Sequence, residues 1–257
     1  MPFTEADHRY MVRAIQLAKQ GMYSTDPNPR VGCVIVKDDN IVGEGWHERA
    51  GEAHAEIHAL QQAGEQARQA TAYVTLEPCC HQGKTPPCSD ALINAGVSKV
   101  VIAMRDPHSR VNGGGITQLE QAGIEVATGL LQQQAETLNP GFIKRMQQGR
   151  PFVRSKLAMS LDGRTAMASG QSQWITGSAA RQQVQRLRAA SCAIVTGVET
   201  VLQDDPSLTV RLDELGEDYP EPELRQPLRV VVDSRLRTPA AARILRQPGE
   251  TLLATLQ

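Results

Sequence analysis

Histidine is missing from the last 149 residues of this 257-residue chain: His8, His47, His54, His58, His81 and His108 all fall within the first 108. Imidazole chemistry is therefore confined to the amino-terminal part, and the remainder must work by other means. No run of about 18 apolar residues occurs, so no membrane-spanning helix is expected. The opening Met1-Pro2-Phe3-Thr4-Glu5-Ala6-Asp7 lacks the basic and apolar regions of a signal peptide, which makes a cytoplasmic location the expectation. An excess of either charge is also lacking, with 27 Lys plus Arg against 28 Asp plus Glu. That balance argues against a strongly basic nucleic-acid surface and against a polybasic membrane anchor. The cysteines, Cys33, Cys79, Cys80, Cys88 and Cys192, are odd in number, which points away from a disulfide framework and toward metal, catalysis or burial. Cys33 and Cys192 sit in apolar stretches and are expected in the core. Neither internal repeats nor low-complexity segments are present.

What is present is an ordinary globular composition, 40% apolar and 21% charged, over a length that favours two domains. Thr4 followed by Asp7, with Tyr10, Ala14, Leu17 and Ala18 at helical spacing, predicts a helix ending near Gly21. Val31 to Lys37 and Ile41 to Trp46 read as a hairpin around Asp38-Asp39-Asn40. Helices follow over His54–Ala63 and Ser89–Ala95, and strands over Ala72–Leu76, Lys99–Ala103 and Gly123–Ala127. This order suggests an α/β domain, a three-layer sandwich around a mixed sheet. The polar, helix-prone stretch Leu130–Gln148 closes it, and a second domain is expected over residues 149–257. There, strands are expected over Phe152–Ala158, Cys192–Thr196 and Leu228–Val232, the last two buried. A helix is expected over Ser178–Ala190, an exposed loop over Asp213–Pro227 and an interrupted strand at Leu252–Gln257.

The chemistry-bearing motifs are His54-Ala55-Glu56 and Pro78-Cys79-Cys80-His81-Gln82-Gly83-Lys84-Thr85-Pro86-Pro87-Cys88. One imidazole (His54) and two thiolates (Cys79, Cys88) make a three-ligand zinc site with a position left for water, the mark of a catalytic centre. Glu56, which is not a ligand, is placed to shuttle the proton. Both His54 and Cys88 fall near predicted helix starts, where the helix dipole favours a thiolate. Zinc deaminases usually carry their second cysteine three residues after the first, yet Gln82 stands there and Cys88 comes nine residues on. Cys80 and His58 are weaker alternatives as ligands.

These motifs, with Asp26-Pro27-Asn28-Pro29-Arg30-Val31-Gly32, Gly43-Glu44-Gly45-Trp46-His47, Glu77 and Asn112-Gly113-Gly114-Gly115, resemble the bifunctional deaminase–reductase family of riboflavin biosynthesis. Ser155-Lys156-Leu157-Ala158, Trp174-Ile175-Thr176-Gly177 and the run from Gly197 to Arg211 extend the resemblance into the second part. It implies a cytidine-deaminase-like sandwich followed by an incomplete dihydrofolate-reductase-like α/β domain. It implies zinc-dependent hydrolysis of the 2-amino group of a small pyrimidine nucleotide, 2,5-diamino-6-(ribosylamino)-4(3H)-pyrimidinone 5′-phosphate. It also implies NADPH-dependent reduction of the ribosyl group to a ribityl chain. Asn28, His47, His81 and Lys84 would hold the deaminase substrate. Lys156, Ser172, Arg188, Leu208 and Arg211 would face the reductase substrate, and Ala158, Trp174, Thr200, Asp204 and Ser234 would touch NADPH. The family's late glycine-rich cofactor segment is absent from this sequence, so an incomplete or inactive reductase is expected. No Gly-x-Gly-x-x-Gly follows a strand, so motif physics alone does not point to the dinucleotide.

Two other readings compete. A deaminase of nucleic-acid bases needs a basic surface, whereas the first 147 residues hold 13 Lys plus Arg against 16 Asp plus Glu. A purely structural zinc module would be expected to show four firm ligands. The partner expected is thus a small nucleotide, with neither nucleic acid nor membrane, and a homo-oligomer is compatible with the sequence.

Overall fold

The structure, a computed structural model, describes residues 3–82, 86–109, 111–171, 175–216, 219 and 225–256. The chain divides into two compact units, residues 1–153 and 154–257.

In the first unit, helix α1 (Glu5–Gln20) begins at a reciprocal cap. The Thr4 hydroxyl accepts from the Asp7 amide at 3.1 Å, and the Asp7 carboxylate accepts from the Thr4 amide at 2.8 Å. Its buried side chains, Tyr10, Met11, Ala14, Ile15, Leu17 and Ala18, recur at the helical period and form one apolar face. Strands β1 (Gly32–Lys37) and β2 (Asn40–Trp46) are joined by Asp38 and Asp39, both at positive φ. Two such residues in succession suit the twist of a tight hairpin. The chain then alternates through α2 (Ala55–Ala63), β3 (Thr71–Val74), α3 (Cys88–Ala95), β4 (Lys99–Ile102), α4 (Gly114–Gln121) and β5 (Glu125–Thr128). The sheet order is β2-β1-β3-β4-β5. Strand β1 is antiparallel to both neighbours, while β3, β4 and β5 run parallel.

Adjacent glycines show the layering. A Cβ on Gly32 would lie 2.0 Å from the Ala14 carbonyl oxygen of α1, and one on Gly45 would lie 2.4 Å from the Ala55 carbonyl oxygen of α2. Gly45 pairs with Cys33, the neighbour of Gly32, so successive positions on β1 face opposite helices. Helices α1 and α2 therefore press on the two faces of the sheet, which explains why β1 is buried along nearly its whole length. This is the expected three-layer sandwich. The closing stretch forms two helices, α5 (Gln132–Leu138) and α6 (Pro140–Gln148), broken at Asn139. The Asn139 side chain accepts from the Arg30 amide and donates to the Arg30 carbonyl, each at 2.8 Å. That exchange ties the corner to the loop that precedes β1.

The second unit contains α7 (Ser178–Ala189), β6 (Ala193–Gly197), α8 (Val198–Asp204), β7 (Leu228–Val232) and β8 (Thr251–Ala254), and its three strands pair in parallel in the order β6-β7-β8. Its core is small: Val198, Val201, Val231, Ala242 and Ile244, with Leu208 and Leu253 packed against them. Several expectations are corrected here. Residues 152–158 form no strand. Strand backbone needs a partner for its N–H and C=O groups, and among the described residues β6, β7 and β8 pair only with one another. Cys192 is exposed rather than in the core. Strand β6 alternates between exposed and half-buried residues, because among the described residues the small core covers one sheet face only. On the other face Val195 is 65% and Leu252 52% exposed. Leu215, within the loop expected to be exposed, is fully buried. Among the described residues no helix is long and apolar enough to cross a membrane.

Candidate metal centre

Two helix starts and one loop build the site. His54 is the N-cap of α2, with extended backbone (φ −81°, ψ 166°). Cys88 is the first residue of α3, just after Pro87, and Cys79 lies in the loop that leaves β3. His54 Nδ1 is 3.2 Å from Cys88 Sγ and 3.6 Å from Cys79 Sγ. The three ligand atoms all lie within 4.8 Å of one another. Tetrahedral zinc, with Zn–N near 2.0–2.1 Å and Zn–S near 2.3 Å, requires N and S to be about 3.6 Å apart. The donor set fits that metal in both chemistry and spacing. Among the described residues no other His, Cys, Asp and Glu side chains gather in this way.

The electrostatics suit a cation. The pairing with Cys88 and the neighbouring His54 pull the Cys79 thiol down to about 4, while the same pairing and burial push the Cys88 thiol up. The Cys88 amide also donates to Cys79 Sγ at 3.3 Å. Such a shared proton is released when a metal takes both sulfurs. Glu56, in the first turn of α2, is 3% exposed, and burial raises its carboxyl above the ordinary value. Burial thus favours the protonated form of this carboxyl, which suits a group that takes up and returns a proton.

Asn28 and His47 come together beside this centre. His47 is buried, its ring meets that of His54 edge-on at 5.2 Å, and burial lowers its pKa. His47 Nδ1 lies 3.0 Å from the Ala53 carbonyl oxygen, which can only accept, so Nδ1 carries the proton. Nε2 then accepts from Asn28 Nδ2 at 3.0 Å. His81 is exposed on the loop between the two cysteines, and its ring stacks with that of His108 at 6.4 Å. Lys84 lies outside the described residues. Cys80 and His58 are not in the metal cluster, and Cys33 is buried on β1.

In the second unit, Arg188 donates to the Thr209 carbonyl at 2.9 Å, which sets it against the loop carrying Leu208 and Arg211. Burial, and then Arg211, lowers the Arg188 pKa. The Arg211 guanidinium is held bidentately by Glu214 at 2.8 and 2.6 Å. Lys156 is exposed on an irregular segment rather than on a strand, with Ala158 half-buried nearby in sequence. Thr200 and Asp204 lie one turn apart on α8, and Ser234 follows β7; all three are exposed. Thr200 is in the first turn of the helix that follows β6 and Ser234 lies just past β7, at strand ends of the kind where parallel sheets bind ligands, while Asp204 closes α8. Ser172 and Trp174 lie outside the described residues.

Sequence reasoning missed the groups that hold the metal loop in place. Glu77, Ser89 and Gln118 link Cys79 to α3 and α4. The signal in the sequence is Glu77 itself, an acidic residue directly before Pro78-Cys79.

A sandwich of this topology with a His-Cys-Cys centre and a buried non-ligand glutamate defines a zinc-dependent deaminase of the cytidine-deaminase class. Residues 4–104 match the model of the cytidine and deoxycytidylate deaminase zinc-binding region, and residues 151–257 match that of the RibD C-terminal domain. The riboflavin biosynthesis protein RibD of Escherichia coli is 60% identical over 98% of this chain and 70% of its own length. That of Haemophilus influenzae is 57% identical over 92% of this chain and 65% of its own length. The solved RibD of Acinetobacter baumannii aligns with a TM-score of 0.91 at 53% identity, covering 98% of this chain and 70% of that one. A Thermotoga maritima structure described as a diaminohydroxyphosphoribosylaminopyrimidine deaminase and 5-amino-6-(5-phosphoribosylamino)uracil reductase aligns at 0.88 with 39% identity, covering 97% and 70%. The chain belongs to the RibD family of riboflavin biosynthesis, bifunctional enzymes that join a zinc-binding deaminase domain to an NADPH-dependent reductase domain.

Proposed function

We propose that residues 1–148 hydrolyse the 2-amino group of the diaminopyrimidine ribosyl phosphate that gives the Thermotoga enzyme its name. The observation that carries this is the convergence of His54, Cys79 and Cys88 beside buried Glu56. Zinc, when bound, lowers the pKa of a water in its open position from about 15.7 to about 7. His54, Cys79 and Cys88 would hold it. Glu56 takes the proton of the attacking water and returns it to the leaving amine, which departs as ammonia. Asn28 and neutral His47 fix the pyrimidine edge, while His81 and Lys84 hold the ribosyl phosphate. A charged lysine in a glycine-flanked loop suits that anion. The partner is this small molecule, in the cytoplasm; the acidic balance of the first 147 residues supports neither a nucleic-acid nor a membrane partner.

For residues 149–257 the reading is a contribution to ribosyl reduction. Lys156, Ser172, Arg188, Leu208 and Arg211 face that substrate. Ala158, Trp174, Thr200, Asp204 and Ser234 face NADPH. The hydroxyls of Thr200 and Ser234 and the carboxylate of Asp204 suit a ribose. NADPH oxidation by the 257-residue chain with the deaminated nucleotide is the assay for this half.

Ammonia release from the diaminopyrimidine nucleotide, measured beside zinc content, tests the first half. Glu56→Gln is expected to retain one zinc and lose about 10²- to 10⁴-fold in turnover. Zinc without any turnover by the parent chain would favour a non-catalytic module instead.

A further inference from the structure

Glu77 and the triple glycine Gly113-Gly114-Gly115 have no part in the proposed chemistry, yet the fold brings them together. Glu77 is 3% exposed and follows β3, two residues before Cys79. Its own amide donates to the Met104 carbonyl at 3.0 Å, just beyond β4. Its carboxylate accepts four backbone N–H groups, two on each oxygen. Asp106 and Gly113 donate to Oε2, each at 3.1 Å, while Gly115 and Ile116 donate to Oε1 at 3.0 and 3.3 Å. Three of these donors belong to the start of α4, whose N-cap, Gly113, has no side chain to serve them. A carboxylate from a distant strand end takes that place, in the field of the helix amino terminus.

The glycines make this approach possible. A Cβ on Gly115 would lie 2.1 Å from the Pro78 carbonyl oxygen, and one on Gly114 would lie 2.8 Å from Cys80 Sγ. The start of α4 is thus laid directly on Pro78-Cys79-Cys80. A second tie acts from the other side. The Ser89 amide and hydroxyl lie 3.2 and 3.0 Å from the Cys79 carbonyl oxygen. Ser89 also meets Gln118 of α4 at 2.8 Å, and Gln118 donates in turn to Asp90. The peptide bearing Cys79 is clamped between α3 and α4, and the buried carboxylate alone takes four of these bonds.

We propose that Glu77 is a positioning residue for the metal centre: by binding the start of α4 to the Pro78-Cys79 segment, it fixes the place of the Cys79 sulfur. This rests on the zinc reading above. Outer partners of this kind typically govern metal affinity or activity by about 10- to 100-fold. Replacing the carboxylate by an amide turns an NH₂ group toward two backbone donors, which then have no acceptor.

The test uses the full 257-residue chain loaded with zinc and, separately, with cobalt(II). The parent is titrated first against a chromophoric chelator; a parent that binds neither ion overturns both the metal reading and this proposal. Glu77→Gln is expected to weaken zinc binding about 10- to 100-fold. It should also alter the cobalt–thiolate charge-transfer absorption and lower kcat with little change in KM. Circular dichroism and thermal unfolding verify that the variant is folded. A folded Glu77→Gln chain with parental zinc affinity, cobalt spectrum and kcat overturns the proposal while leaving the zinc reading intact. Where Glu77→Gln does not fold, Glu77→Asp, which keeps the charge but draws the oxygens back by one methylene, is measured in the same way. Failure of both variants to fold also overturns it, since the carboxylate then serves the fold rather than the sulfur.

Discussion

The two units treat their sheets in opposite ways. In the first, helices lie against both faces, and Cys33, Val34, Ile35, Val74, Val100, Val101 and Ile102 are fully buried along the central strands. In the second, the core of the described residues covers one face, and Val195, Val232 and Leu252 stand more than half exposed. The hydrophobic effect follows the area removed from water, about 25 cal/mol per Å². A sheet covered on both sides therefore resists local opening more strongly than one covered on a single side, and its loops are held more firmly. The chemistry follows that division. The candidate metal centre is set among buried side chains of the first unit, while Thr200, Asp204 and Ser234 in the second are exposed.

Paired truncations sharpen the contrast most. Ile35→Ala, in the fully buried centre of β1, is expected to cost about 2–5 kcal/mol. Leu252→Ala, on the open face of β8, should stay within about 0.5 kcal/mol. Hydrogen exchange of the strand amides reads each locally, and equal costs at the two sites would break the comparison. Next in size is Arg229, 1% exposed on β7, whose guanidinium donates to the carbonyls of Gln247, Pro248 and Gly249 and to the Thr251 hydroxyl. Arg229→Met strands those acceptors and should destabilise the β7–β8 pairing by roughly 3 kcal/mol. Unchanged exchange there would show that the second unit does not depend on this polar anchor.

The smallest effect is pH-dependent and belongs to the first unit. Burial works against ionisation of Asp7, but hydrogen bonds from the Tyr73 hydroxyl and from Thr4 outweigh it and hold the carboxyl below its ordinary 3.8. A depressed folded pKa gives stability that is present above 3.8 and is lost as pH falls through the folded value. Asp7→Asn should therefore lower the urea midpoint at pH 7 by an amount worth less than about 1 kcal/mol, and the gap should close in acid. A gap that widens on acidification would reverse the sign of this linkage.

Much of the first unit was legible because its signals are local. The Thr4–Asp7 cap, the Asp38-Asp39 turn and the short apolar strands each depend on residues a few positions apart. The second unit was less legible for a physical reason. Leu157, Met159 and Leu161 alternate as a strand would, yet no neighbour among the described residues offers them a ladder, and they remain exposed. Helices α4 and α8 went unread. The first begins at glycines, which carry no capping side chain, and the second is only seven residues long.

By itself the sequence narrowed the candidate donors to a few side chains, with His54, Cys79 and Cys88 beside a non-ligand glutamate fitting the deaminase pattern and Cys80 and His58 as weaker alternatives. Tertiary structure alone decided that donors 25 and 34 residues from His54 reach within hydrogen-bonding distance of its Nδ1. It also decided that a glutamate 36 residues upstream would cap the start of α4. Ligand identity is a property of side-chain chemistry, which a string of letters records, whereas convergence depends on which strands pair and which helices cover them.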